Sequence, residues 1–287
     1  MQNGLLNRNQ GTFFFHVSFK YIVSKRCHKG RSKASIMAIN RYFIYLSYRG
    51  TNYHGWQIQE NATSVQNLVN NALSILLKEN IQTIGAGRTD TGVHARFYVA
   101  HFDSVASNLE SDGKFLHSLN RILPNDIAIH QIKKVNPSAN ARFDATLRGY
   151  EYVICRNKDP FWIGLSWFYD AQLNIDNMQL AAQQLMNYTD FTSFSKVGSE
   201  TKTNNCQIYK AEWNESGNLL IFTIEANRFL RNMVRAIVGT LIDVGRGKIT
   251  PEEFAQVIEK RDRKLAGTSA PAEGLYLTRI EYPDNLI

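Results

Sequence analysis

Gly85-Ala86-Gly87-Arg88-Thr89-Asp90-Thr91-Gly92-Val93-His94-Ala95, running on into Phe97-Tyr98-Val99-Ala100-His101-Phe102, decides between two architectures. A dinucleotide-binding turn would carry G-x-G-x-x-G straight into a helix. Here the third glycine comes too late, and residues 97–102 read as a strand. A phosphate loop would need Gly-Lys-Ser/Thr, which is absent. Glycoside hydrolysis needs two carboxyl groups flanking the scissile bond; no second acid lies in or beside this stretch, though one could arrive from elsewhere in the fold. What remains is a glycine-hinged loop between two strands that presents Asp90 beside Arg88, a candidate charge partner. Asp-Thr-Gly is also ordinary turn chemistry. A carboxylate held by rigid flanks can instead serve as a covalent nucleophile.

Around that loop the same order of elements occurs twice. Residues 41–49 read as a strand, and 64–78 as a helix entered through a Thr63-x-x-Gln66 capping box. Val65, Leu68, Val69, Ala72, Leu73, Leu76 and Leu77 recur at helical spacing. Strands at 81–85 and 97–103 bracket the Asp90 loop, and a helix at 113–122 and a strand at 127–135 follow. The second series is strand 146–155, helix 176–187, strands 206–214 and 219–226, a helix over 229–244 and a strand at 275–282. A short helix at 251–260 is extra, with Thr250 as its cap and Pro251 in its first turn. Each series is β-α-β-β-α-β, the split βαβ or ferredoxin-like unit. The fold class expected is therefore mixed α+β: two fused halves, residues 37–145 and 146–287, with a cleft between them.

The formal net charge of +8 suggests a polyanionic partner, but its location matters. Residues 1–36 hold seven Lys/Arg and no acid, which leaves 26 cations against 25 anions beyond them. Any polyanion site in the body is thus a local patch and not a global field. The basic N-terminal segment, residues 1–36, reads as an extension: either a transit-type leader or, the preferred reading, residues upstream of a true start at Met37. No run reaches the roughly 18 apolar residues of a membrane span. Cys27, Cys155 and Cys206, odd in number and far apart, offer neither a disulfide framework nor a metal site. A reducing cytoplasm fits this usage, and no metal or cofactor is expected.

Three further constellations could carry chemistry. Tyr48-Arg49-Gly50-Thr51-Asn52-Tyr53-His54-Gly55-Trp56-Gln57-Ile58-Gln59 mixes aromatics and amides in a loop, so Tyr53 and Trp56 could stack on unpaired bases or simply pack on the core. In Arg148-Gly149-Tyr150-Glu151-Tyr152, strand alternation puts Arg148, Tyr150 and Tyr152 on one face. A phenol there could move a proton or stack on a flat substrate, or merely pack. Arg228, Arg231 and Arg235 fall at i, i+3 and i+7 of the expected 229–244 helix, on one stripe. That stripe is either a solvated face or a contact for phosphate or for the Asp90 carboxylate.

Taken in order, Tyr53 to Gln59, Gly87 to Ala95, Arg148 to Tyr152, Asp190-Phe191-Thr192-Ser193-Phe194, Met233-Val234-Arg235-x-Ile237-Val238-Gly239 and Ala272-Glu273-Gly274-Leu275 resemble the motifs of the bacterial tRNA pseudouridine synthase A family. The resemblance runs from about residue 40 to 283. Thr91 departs from it, standing where the family usually has Ala. It implies isomerisation of uridine to pseudouridine in the anticodon stem-loop of tRNA, around positions 38 to 40, without cofactor or metal. It further implies Asp90 as nucleophile, at C1′ or at the base, and Tyr150 stacked on the target base. Arg235 would pair with Asp90, Arg88 would reach into the backbone or help to evict the base, and the enzyme would be a homodimer with one tRNA across both subunits. Two other readings stay open on sequence: a non-catalytic RNA-binding module of the same fold, and an N-glycoside hydrolase releasing uracil.

Overall fold

The computed structural model describes residues 38–196, 198 and 201–286; the segment 1–36 lies outside them. Period-two hydrophobic patterning builds the strands. In β1 (Asn40–Tyr48) the alternate residues Tyr42, Ile44, Leu46 and Tyr48 are buried. α1 (Val65–Leu77) lays Val65, Val69, Ala72 and Leu73 against the core. The first half continues with β2 (Ile84–Gly85), β3 (His94–Ser104), α2 (Gly113–Ile122) and β4 (Ile127–Val135). The second holds β5 (Leu147–Cys155), β6 (Trp167–Phe168), α3 (Ile175–Gln184), β7 (Ile208–Ser216), β8 (Leu219–Ala226), α4 (Met233–Gly245), α5 (Pro251–Glu259) and β9 (Leu275–Glu281).

The strands form one mixed sheet in the order β4-β1-β3-β9-β5-β8-β7, with β2 on β3 and β6 on β5. Within each half the first strand lies between the fourth and the third, and these pairings are antiparallel. The duplication expected from sequence is therefore a repeat of topology. A short parallel ladder joins the halves, His94 opposite Tyr276 and Ala95 opposite Leu277. Two apolar clusters lie along the sheet, and the seam interleaves them. Leu277 and Ile280 of β9 belong to the first-half cluster, Val93 belongs to the second, and Tyr150 packs on both.

Three local expectations are corrected. The cap of α1 is Ser64, whose hydroxyl accepts from Asn67 N, and not Thr63. Gln66 is drawn away from the box: its amide accepts from Ile58 N and donates to Thr83 O. Strand 81–85 shrinks to Ile84–Gly85, because Gln66 and Asn70 of α1 take the backbone carbonyl and amide of Thr83. α4 starts at Met233 and not at 229, because Asn232 takes a left-handed conformation (φ 65°), which Asn tolerates better than most residues. The cap of α5 is as expected: Thr250 and Glu253 exchange both capping bonds, with Pro251 in the first turn.

Candidate active site

Asp90 sits on the β2–β3 loop, and buried polar contacts fix the loop beneath it. Thr89, next to it, is buried; its hydroxyl accepts from Trp56 N at 3.0 Å and lies 2.9 Å from the Tyr48 hydroxyl. Gly55 lets the two loops touch. Its φ is +82°, and a Cβ there would stand 2.1 Å from Thr89 O. The Tyr98 hydroxyl donates to Gly87 O, and Val93 N donates to Asp90 O at 3.1 Å. The Asp90 side chain keeps 26% of its surface exposed and faces the second half.

There it meets two arginines. Arg235 Nη1 donates to Asp90 Oδ2 at 3.4 Å, and Arg231 Nε lies 3.9 Å from Oδ1. Arg235 is aimed by its own surroundings, since its Nε donates to Ala270 O at 2.7 Å while Ala270 N donates to Arg235 O. Gly239, one turn further along α4, admits that segment: a Cβ would lie 1.8 Å from Thr268 O. Ion pairs this exposed contribute about 0–1 kcal/mol to stability. Stability alone is therefore a weak reason for the arrangement.

The cavity holding Asp90 has a volume of about 680 Å³. Arg88, Lys196, Arg231, Arg235 and Arg263 line it, and Asp90 is the sole acid among its lining residues. This is the local basic patch expected in a body of nearly balanced charge. His54, Gln57 and Gln59 form its other side. Tyr150 is not among the lining residues; it is half-buried, its ring edge-on to Phe229 at 5.2 Å, and close enough to feel the Asp90 charge. Burial pushes the phenol up to about 12, opposed by the Arg148 guanidinium and reinforced by the Asp90 charge. A second cavity of about 650 Å³ opens around Arg49, Arg96 and His130 and holds none of the expected site residues.

The structure brings together Asp90, Arg235 and Arg231, leaves Tyr150 outside the cavity lining but within range of the Asp90 charge, and redirects the rest. Arg88 is exposed on the cavity rim, and the ion pairing expected of it is made by Arg235 and Arg231. Tyr53 and Trp56 are 5% and 2% exposed, so neither offers a stacking face as the loop stands. Trp56 packs on Tyr98 with centroids 4.3 Å apart, and the Tyr53 hydroxyl donates to Asp126. Arg228 is half-buried near Cys206 and away from the cavity, because the stretch before Asn232 is not helical and the three arginines share no stripe. Tyr152 is buried, its hydroxyl donating to Pro271 O. Sequence reading missed His54, Gln57, Gln59, Lys196 and Arg263. The amides stood in the quoted aromatic loop; the two cations carried no signal of their own. Among the described residues, no cluster of His, Cys, Asp and Glu could hold a metal ion, and no helix is long and apolar enough to cross a membrane.

Fold and site together define a class: a duplicated α+β protein with one carboxylate, flanked by arginines, at the seam of two split βαβ halves. Comparison with known proteins narrows it. The profile of a family described as tRNA pseudouridine synthase matches residues 44–144 and 181–283, one segment in each half. A tRNA pseudouridine synthase A from Bacteroides fragilis is 49% identical over 251 residues, 87% of this chain and 99% of the relative. The protein of that name from Bacteroides thetaiotaomicron is 50% identical over 86% of this chain and 93% of its own length. The one from Aliivibrio salmonicida is 40% identical over 85% and 93%. The chain belongs to the tRNA pseudouridine synthase family.

Proposed function

We propose that this protein isomerises uridine to pseudouridine in the anticodon stem-loop of tRNA, with Asp90 as nucleophile. The observation that carries the reading is the Asp90 carboxylate, alone among five cations in an open cavity and 3.4 Å from Arg235. A site built only to hold a polyanion gains nothing from an acid at its centre, because the acid repels phosphate. Family membership supplies the reaction. The C1′–N1 bond breaks, the uracil turns, and C1′ joins C5; C5 loses its proton and N1 gains one.

Each neighbour has work in that sequence. Arg235, held at Ala270 O, keeps Asp90 oriented as charge shifts during attack. Tyr150 stays a neutral phenol at working pH, since burial pushes it up to about 12. Its ring can stack on a flat base and its hydroxyl can relay the C5 proton. A base reaches the cavity only after leaving its stack, at a cost of a few kcal/mol. Arg88 on the rim is placed to reach into the vacated helix or its phosphates. The enzyme works in the cytoplasm as a homodimer, with one tRNA lying across two copies.

An unmodified tRNA transcript labelled with tritium at C5 of the anticodon-stem uridines tests the reaction. Tritium release without free uracil is the expected result. Free uracil would mean hydrolysis of the N-glycosidic bond, and tight binding with no release from several tRNAs would mean an RNA-binding module.

A further inference from the structure

Arg148, the second residue of β5, is half-buried and makes no ion pair among the described residues. Its guanidinium gives four hydrogen bonds, all to backbone carbonyls. Nη1 donates to Ala145 O at 3.0 Å and Asn227 O at 2.8 Å; Nη2 donates to Ala86 O at 3.1 Å and Arg142 O at 2.7 Å. These acceptors belong to three separate segments. Ala86 precedes Asp90 on the β2–β3 loop. Arg142 and Ala145 lie in the connection between β4 and β5. Asn227 opens the segment that leads through Arg231 to Arg235.

Burying a cation without a carboxylate is unfavourable, and burial lowers the Arg148 pKa from its usual range. An aliphatic side chain would fill the strand position without that penalty. What arginine adds is a rigid planar fork whose donors point in fixed directions. Here the fork meets the Asp90 loop and the last residues of the first half together with the second half.

We infer that Arg148 is a positioning residue for the reaction proposed above: it clamps the Asp90 loop of one half to the Arg235-bearing segment of the other. The separation of Asp90, Arg235 and Tyr150 then depends on one side chain that lines no part of the cavity. Lysine keeps the charge but concentrates its donors on one atom, which cannot reproduce a planar fork that reaches carbonyls of separate segments.

The test uses the full chain and the tritium-release assay, with the folded fraction of each variant measured by circular dichroism. Misplacing reacting groups by about 1 Å costs on the order of 100-fold in rate, so Arg148→Lys is expected to lose about that much kcat. The KM for tRNA should stay within about threefold, because the cavity surface is unchanged. Arg148→Ala, a second variant, should regain at least about tenfold in kcat when free guanidinium ion is supplied at concentrations too low to unfold the protein. A folded Arg148→Lys with kcat near wild type would overturn the inference. So would losses in both variants that follow the folded fraction and ignore guanidinium. A wild-type protein that releases no tritium would instead overturn the reaction itself.

Discussion

Asp90 is the residue on which the functional reading turns, and its surroundings separate catalysis from binding. Asp90→Asn keeps the shape and removes the charge that Arg235 and Arg231 face. Turnover should fall by about 10⁴-fold or more, the scale seen when a catalytic group is removed. Affinity for tRNA should stay within about threefold or improve slightly, since a carboxylate among phosphates is repulsive. Tritium release and filter binding on the same preparation check both; an Asn variant that still turns over would remove Asp90 from the chemistry. The role of this residue was not legible from the loop alone, because Asp-Thr-Gly is also ordinary turn chemistry, but its position was legible in sequence as a glycine-hinged loop between two strands. Its partner was less so. Arg88 stands two residues away and Arg235 stands 145 away, and local pairing is what residue spacing alone can suggest. Family motifs pointed to Arg235; the Ala270 carbonyl and the close approach at Gly239 give the physical reason.

At the scale of elements, the loop between β1 and α1 shows how an aromatic signal divides. The Tyr53 and Trp56 side chains turn inward, Tyr53 to Asp126 and Trp56 onto Tyr48 and Tyr98, and the Trp56 backbone amide holds Thr89, while His54, Gln57 and Gln59 line the cavity. Trp56→Ala should therefore lower stability by about 3–5 kcal/mol, as expected for a large buried aromatic. Gln57→Ala and Gln59→Ala should leave stability within about 0.5 kcal/mol and weaken tRNA binding instead. Urea unfolding and binding isotherms separate the two effects. A Trp56→Ala protein as stable as wild type but defective in binding would restore the stacking reading. Sequence could not settle this, because Tyr and Trp serve cores and RNA surfaces equally well. The start of α4 was hidden for another reason: the arginine spacing of 228, 231 and 235 continues a helical period through Asn232. Only the left-handed backbone at Asn232 breaks it. Most strands and helices were legible, as their apolar periods are long; β2 was overestimated because side chains from α1 claim its backbone.

The whole molecule depends on a pairing that no local pattern announces. β9, near the end of the chain, lies between β3 and β5, and two residue pairs of parallel ladder join the halves. The repeat of β-α-β-β-α-β was readable from periodicity, but the order in which the halves meet is a long-range contact. That order sets a first-half acid against second-half cations and concentrates charge in a body of 26 cations and 25 anions beyond residue 36. RNA affinity should accordingly come from the cavity rim and depend on salt through the few phosphates met there. Arg88 and Arg231 are exposed on that rim. Replacing both by Ala should reduce the slope of log affinity against log salt by about 1.4–1.8 units, if each contacts one phosphate. Lys210→Gln, which removes a half-buried cation already paired with Glu212, should leave the slope unchanged. Titrations of one tRNA from low to physiological salt measure both. Equal slopes for wild type and the Arg88/Arg231 double variant would move the polyanion site away from the Asp90 cavity. A slope reduced only in that variant would tie RNA binding and the Asp90 carboxylate to the same seam.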